Sequence, residues 1–199
     1  PTFAKEVGEG LPTAMTIASK DDTFAEALAA ELSSDNFRAY TTDDVIGVEV
    51  GGAVKNVLAI AAGMSDGLGF GANTRIALIN RGLVELMRLG VALGANKQTF
   101  MGLAGMGDLV LTCTDNLSRN RRMGLALASG MTIDEAQEEI QQVVEGVLAA
   151  RAVKEVADKL DIDMPICRQV YDILYEGKSP REAVETLMRR KLKSEKDHD

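Results

Sequence analysis

From Asp43 to about Arg190 the chain runs in helical period, one amphipathic segment after another, each opened by a capping residue and several closed by glycine. This succession restricts the fold more than any other feature, because it leaves no room for a sheet in three quarters of the molecule. Asp43 or Asp44 caps a long segment that reaches about Ala62 and stops near Gly63. Gly67 to Asn73 is a loop, followed by a helix from about Thr74 to Leu93 that Gly94 ends. Further helices are expected at about Lys97 to Leu103, Asp108 to Thr112, Ser118 to Gly130, Glu145 to Leu160, and Pro165 to Glu176 with Gly177 behind it. Thr132 with Glu135 and Ser179 with Glu182 each form a capping box, the second with Pro180 at its first helical position. Aromatic residues make up only 4% and tryptophan is absent, so the core must be built from Ala, Leu, Val, Ile and nine methionines. The expected fold is mainly α.

The first 43 residues read differently. Pro1 to Glu9 reads as the middle of a domain, without a starting methionine. Thr13 to Ser19 is a strand, Asp21 to Ser33 an amphipathic helix led by Asp21 or Asp22, and Phe37 to Thr41 a second strand. A strand–helix–strand unit this small cannot cover both faces of its sheet. It reads as the tail end of a larger α/β domain. The expected divisions are residues 1–43, a helical unit over 44–191, and a charged tail over 192–199.

Several classes of function fall away. A formal net charge of −8 argues against nonspecific nucleic-acid binding, which needs a broad basic surface. Cys113 and Cys167 lie far apart in apolar sequence and are expected as buried free thiols. Neither a signal peptide nor a run of eighteen apolar residues is present, so a soluble, cytoplasmic chain without a membrane partner is expected. The single histidine, His198, sits in the charged tail, which excludes a Ser-His-Asp triad; with two distant cysteines it also argues against a metal site. Acid–base chemistry must fall to lysine or carboxylates.

Two places carry such chemistry. Ser118-Arg119-Asn120-Arg121-Arg122 gathers three arginines at an expected helix start, where free backbone N–H groups and guanidinium groups suit a phosphate. Consecutive residues diverge around a helix, so at most two of the arginines can serve one anion. Lys55 has Gly51 and Gly52 one turn before it, and Leu58 and Ala59 one turn after. A helical lysine ordinarily snorkels to solvent. Paired glycines cost roughly 1 kcal/mol each in a helix interior, which suggests instead that space is kept for a ligand whose carbonyl the lysine polarises or protonates. Asp108, after Gly105-Met106-Gly107, is either an N-cap or an acceptor for a substrate hydroxyl or Lys55. Neither GLGFGAN nor GLAGMGD has dinucleotide-fingerprint spacing, and neither follows a clear strand.

Taken together, PTFAKEV from Pro1, GGAVKNVLAIAAGMSDGLGFGANTRIALINRG from Gly51, GLAGMGDLVLTCTDNLSRNRR from Gly102 and VVEG from Val143 resemble bacterial NAD(P)-dependent glycerol-3-phosphate dehydrogenases over Pro1 to about Arg190. The resemblance implies a multi-helical, 6-phosphogluconate-dehydrogenase-like C-terminal domain preceded by the remnant of a Rossmann domain. It implies NAD or NADP as cofactor, and interconversion of dihydroxyacetone phosphate and sn-glycerol 3-phosphate for glycerophospholipid synthesis. By the same resemblance Lys55 is the catalytic acid/base, and Thr2, Asp108, Ser118, Arg119 and Asn120 meet the substrate. Ala4, Arg119, Val143 and Glu145 meet the cofactor. Arg121 and Arg122 receive no such role. The family's Gly-rich cofactor fingerprint and a second substrate lysine would lie upstream of Pro1, so this chain is expected to be a truncated part with little activity alone. Gln141 departs from the glycine usual in the family. A homodimer is left open. The rival readings are the helical domain of another 6-phosphogluconate-like two-domain dehydrogenase, and a helical interaction module without catalysis.

Overall fold

A computed structural model describes residues 2–191 and Ser194. The rest of the tail expected at 192–199, His198 included, lies outside the described residues. The chain is mainly α. A short helix, α1 (Ala4–Gly8), opens the described chain; its five residues carry no apolar period that would announce it in the sequence. Then come β1 (Thr13–Ala18), α2 (Asp22–Leu32) and β2 (Phe37–Thr42). The two strands pair in parallel, Thr13 opposite Phe37 and Ala18 opposite Thr42. Asp21 caps α2 by accepting from the Phe24 N–H. A small apolar cluster of Ile17, Ala25 and Ala29 holds this unit together. Phe24 and Tyr40 remain half exposed, as the shortage of covering layers predicts.

Among the described residues eight α-helices follow: α3 (Val45–Gly67), α4 (Ala72–Ala92), α5 (Asp108–Thr114), α6 (Arg119–Ala128), α7 (Ile133–Ile140), α8 (Glu145–Lys159), α9 (Pro165–Tyr175) and α10 (Pro180–Met188). Both capping boxes are formed. Gly94, Gly130 and Gly177 adopt the left-handed backbone that ends a helix, as expected. Between α4 and α5 the expected helix at Lys97 to Leu103 is instead a 3-10 turn, Lys97–Met101, followed by a π-helical turn, Leu103–Gly107. Gly105 explains the break, since a Cβ there would stand 2.2 Å from the Phe100 carbonyl oxygen.

The central element is α3. Its length and mean hydropathy of 1.6 would suit a bilayer, yet Val54, Val57, Leu58, Ala59 and Ile60 are fully buried against the surrounding helices. It does not stop at Gly63. A Cβ on Gly63 would stand 2.1 Å from the Arg121 carbonyl, and one on Gly124 2.1 Å from the Ile60 carbonyl. The two glycines let α3 and α6 cross nearly backbone to backbone. The core continues through Leu86, Phe100, Leu109 and Met123, all fully buried. Asp44 anchors the start of α3, accepting from the Gly47 and Asn96 N–H groups and the Thr99 hydroxyl. Burial opposes ionisation there, but these hydrogen bonds outweigh it and hold the carboxyl below its ordinary range.

Candidate active site

The packing of the π-turn and of α6 on α3 decides which side chains meet. Lys55 Nζ lies 2.5 Å from Asp108 Oδ2, both side chains about four-fifths buried. Asp108 is therefore the lysine's partner and not an N-cap; the π-turn carries the backbone into α5 without a capping side chain. The glycines before Lys55 have separate reasons. A Cβ on Gly51 would stand 2.5 Å from the Ala104 carbonyl, so its bareness lets the π-turn dock on α3 and deliver Asp108. Gly52 faces open space, and a Cβ added there would meet nothing within 4 Å. Thr112 Oγ1, one turn after Asp108, donates to the Asp108 carbonyl at 2.6 Å and lies 3.4 Å from its Oδ1. Thr112 is not among the residues expected from sequence; its i+4 spacing from Asp108 is the signal that points to it.

The neighbouring position, Asn56, starts a second set of contacts. Its Oδ1 accepts from Asn120 Nδ2 at 3.0 Å, and its Nδ2 lies 3.4 Å from Glu145 Oε2. Asn120 Oδ1 accepts from the Gly146 N–H at 2.8 Å. Three elements, α3, α6 and the start of α8, are thus joined by one buried pair of amides. A Cβ on Gly146 would come within 2.6 Å of Asn120 Oδ1, so glycine is required there. Asn56 is likewise absent from the expected residues; an asparagine beside the lysine, in an otherwise apolar stretch, is the clue to it.

The arginine cluster divides as helical geometry requires. Ser118 is the N-cap of α6 and accepts from the Arg121 N–H. Arg119 is partly exposed and donates to the Val143 carbonyl at 3.0 Å. Arg121 turns inward: its Nη1 lies 2.6 Å from Asp66 Oδ2 and also meets the Cys113 carbonyl, while Nε donates to Asn116. Arg75 reaches the same Asp66 oxygen at 2.6 Å. Arg121 is thereby a structural tie between helices, which removes it from any anion site. Val143 is 68% exposed, and Leu148 nearby is 67% exposed. Both line a hollow of about 490 Å³ with Gln141. Gln141 ends α7 in the left-handed region at φ 55°, the conformation that favours glycine.

Lys55 thus meets Asp108; Asn56, at the next position of α3, meets Asn120 and Glu145; and Arg119 meets Val143. Among the described residues no hydrogen bond or ion pair joins these three sets to one another. Thr2 and Ala4 are exposed, and among the described residues no hydrogen bond or ion pair ties either to any of them. Both cysteines are free and buried as expected, and burial pushes the Cys113 thiol up to about 12.

The family described as NAD-dependent glycerol-3-phosphate dehydrogenase C-terminus matches residues 44–185. The chain belongs to that family. It is 60% identical over 195 residues to the glycerol-3-phosphate dehydrogenase (NAD(P)+) of Nitrosococcus oceani, covering 98% of this chain and 57% of that protein. The Escherichia coli enzyme of the same name is 58% identical over 197 residues, covering 98% and 58%. The crystal structure of glycerol-3-phosphate dehydrogenase from Coxiella burnetii superposes with a TM-score of 0.93 at 50% identity, covering 96% of this chain and 58% of that one. The Saccharomyces cerevisiae enzyme gives 0.84 at 27% identity, covering 94% and 57%. The chain thus spans less than three fifths of the relatives it matches, and the family membership rests on their C-terminal part.

Proposed function

We propose that this chain is the substrate-binding and catalytic part of an NAD(P)-dependent glycerol-3-phosphate dehydrogenase, interconverting dihydroxyacetone phosphate and sn-glycerol 3-phosphate. Residues 1–43 belong in this reading to the cofactor domain, and 44–191 to the substrate domain. The observation that carries it is the Lys55–Asp108 pair at 2.5 Å, beside the open face of Gly52 and one position from the amides that fix the start of α6. Lys55 delivers a proton to the ketone oxygen as charge builds there, and takes it back in the reverse direction. Asp108 orients the ammonium group. Arg119, with Ser118 and the second Nδ2 hydrogen of Asn120, supplies donors for the phosphate. The nicotinamide group, when bound, supplies the hydride. Arg119 beside the exposed apolar Val143 and Leu148 offers a cation and a hydrophobic face, which fits one side of a dinucleotide. Thr2 and Ala4 complete the site in this reading, Glu145 borders the nucleotide, and the setting is cytoplasmic. No nucleic-acid or membrane partner enters it; a homodimer is compatible with it.

The test joins this chain to the N-terminal remainder of the Nitrosococcus oceani relative and measures reduction of dihydroxyacetone phosphate. Arg119→Ala is expected to raise KM at least tenfold, in line with loss of a charge-assisted phosphate contact. An unchanged KM would remove Arg119 from the phosphate site, absence of turnover in the joined protein would favour the interaction-module reading, and preference for a different phosphorylated substrate would favour another 6-phosphogluconate-like dehydrogenase.

A further inference from the structure

A second hollow lies away from this site. Met64 is nine residues, or two and a half turns, beyond Lys55 and so faces the opposite side of α3. There α3 forms the floor of a groove of about 620 Å³ walled by α4, α9 and α10. Its walls are largely apolar, with Leu78, Val84, Val170, Ile173, Val184 and Leu187 among them. Ser65, 4% exposed, contributes to the floor a buried hydroxyl with no hydrogen-bond partner among the described residues.

The groove follows α4 from Thr74 to Arg88, fourteen positions apart and about 21 Å along the helix, and its largely apolar walls suit an extended alkyl chain over that length. Charge restricts the occupant. Arg81, Arg88, Arg190 and Lys191 line the groove against two carboxylates, Asp163 and Glu85, in a chain of net charge −8. Glu85 is already engaged by the Ile166 and Cys167 N–H groups. Asp163 gathers Arg88 through its carbonyl and Arg190 through its carboxylate, placing the cations at one end. We propose that this groove binds a fatty carboxylate, its alkyl chain along α4 and its anionic head at the Arg88–Arg190–Lys191 end.

Calorimetric titration of the 199-residue chain with laurate below its micellar range tests this. One saturable site is expected, with no saturable binding of dodecyltrimethylammonium. Arg190→Glu combined with Lys191→Glu, both exposed, should weaken laurate at least tenfold, and Val184→Trp, filling a half-buried wall position, should abolish it. Should Val184→Trp fail to fold, the charge-reversed protein decides. Absence of saturation, equal affinity of the charge-reversed protein, or equal uptake of the cationic amphiphile would each overturn the assignment. So would sedimentation showing a dimer that Val184→Trp splits while laurate has no effect, since the groove would then be a subunit interface.

Discussion

At the scale of single residues, the buried carboxylate of Glu85 has the clearest consequence outside the candidate active site. It is 3% exposed and caps the start of α9 from α4, accepting from the Ile166 N–H at 2.6 Å and the Cys167 N–H at 3.1 Å. Burial pushes its carboxyl up to about 7 from an ordinary 4.5, against the pull of those donors. Between those two values the unfolded chain has released the proton and the folded chain retains it, so this group's contribution to stability falls as pH rises through the window. The full loss is about 3 kcal/mol above pH 7. Urea unfolding should therefore show Glu85→Gln gaining on the parent protein between pH 5 and pH 8; a difference constant with pH would contradict the assignment. Gln141 gives a second prediction. It holds a left-handed backbone that costs a side chain roughly 1 kcal/mol, so Gln141→Gly should raise stability by up to about that amount, less the entropy glycine adds to the unfolded chain. A loss of stability would show that the side chain itself is needed.

At the scale of elements, the meaning of the glycines separates what is legible in the sequence from what is not. Those that end helices, Gly94, Gly130 and Gly177, are readable because a stop is a local event. Gly63 looks like a stop and is not one, because its close approach to α6 depends on Arg121 and Gly124, far along the chain. The same limit hides the π-turn before Asp108 and the inward direction of Arg121. Lys55, Asp108 and Arg119 are legible as chemistry, but that Asp108 pairs with Lys55 and that Asn56 bridges α6 and α8 requires the fold. Gly51 and Gly52 turn this distinction into an experiment. Gly51→Ala drives a methyl toward the Ala104 carbonyl and should cost roughly 1–3 kcal/mol while displacing Asp108. Gly52→Ala meets nothing in this chain and should add up to about 1 kcal/mol of stability through helix propensity. Thermal or urea unfolding of the two variants checks both signs. Equal losses would mean that both glycines serve packing alone.

At the scale of the whole molecule, one long buried helix organises the substrate side of the proposed enzyme. α3 carries Lys55 and Asn56 on adjacent positions, crosses α6 through paired glycines, and floors a separate apolar groove farther along. The small β1–α2–β2 unit has a cluster of only three buried apolar residues and leaves aromatic side chains exposed. The chain spans less than three fifths of the relatives it matches, and in the proposed reading their N-terminal remainder supplies most of the cofactor surface. The chain alone should therefore reduce dihydroxyacetone phosphate weakly or not at all, and joining it to the N-terminal remainder of a relative should restore turnover. Comparable rates from the chain alone would refute the division of labour between the two parts.

The proton role of Lys55 is tested most directly by turnover of Lys55→Ala in that joined protein, with and without an added small primary amine. Turnover should fall at least about 100-fold, the usual share of a positioned acid–base group, and recover in part with the amine. Turnover within a few-fold of the parent would contradict the account.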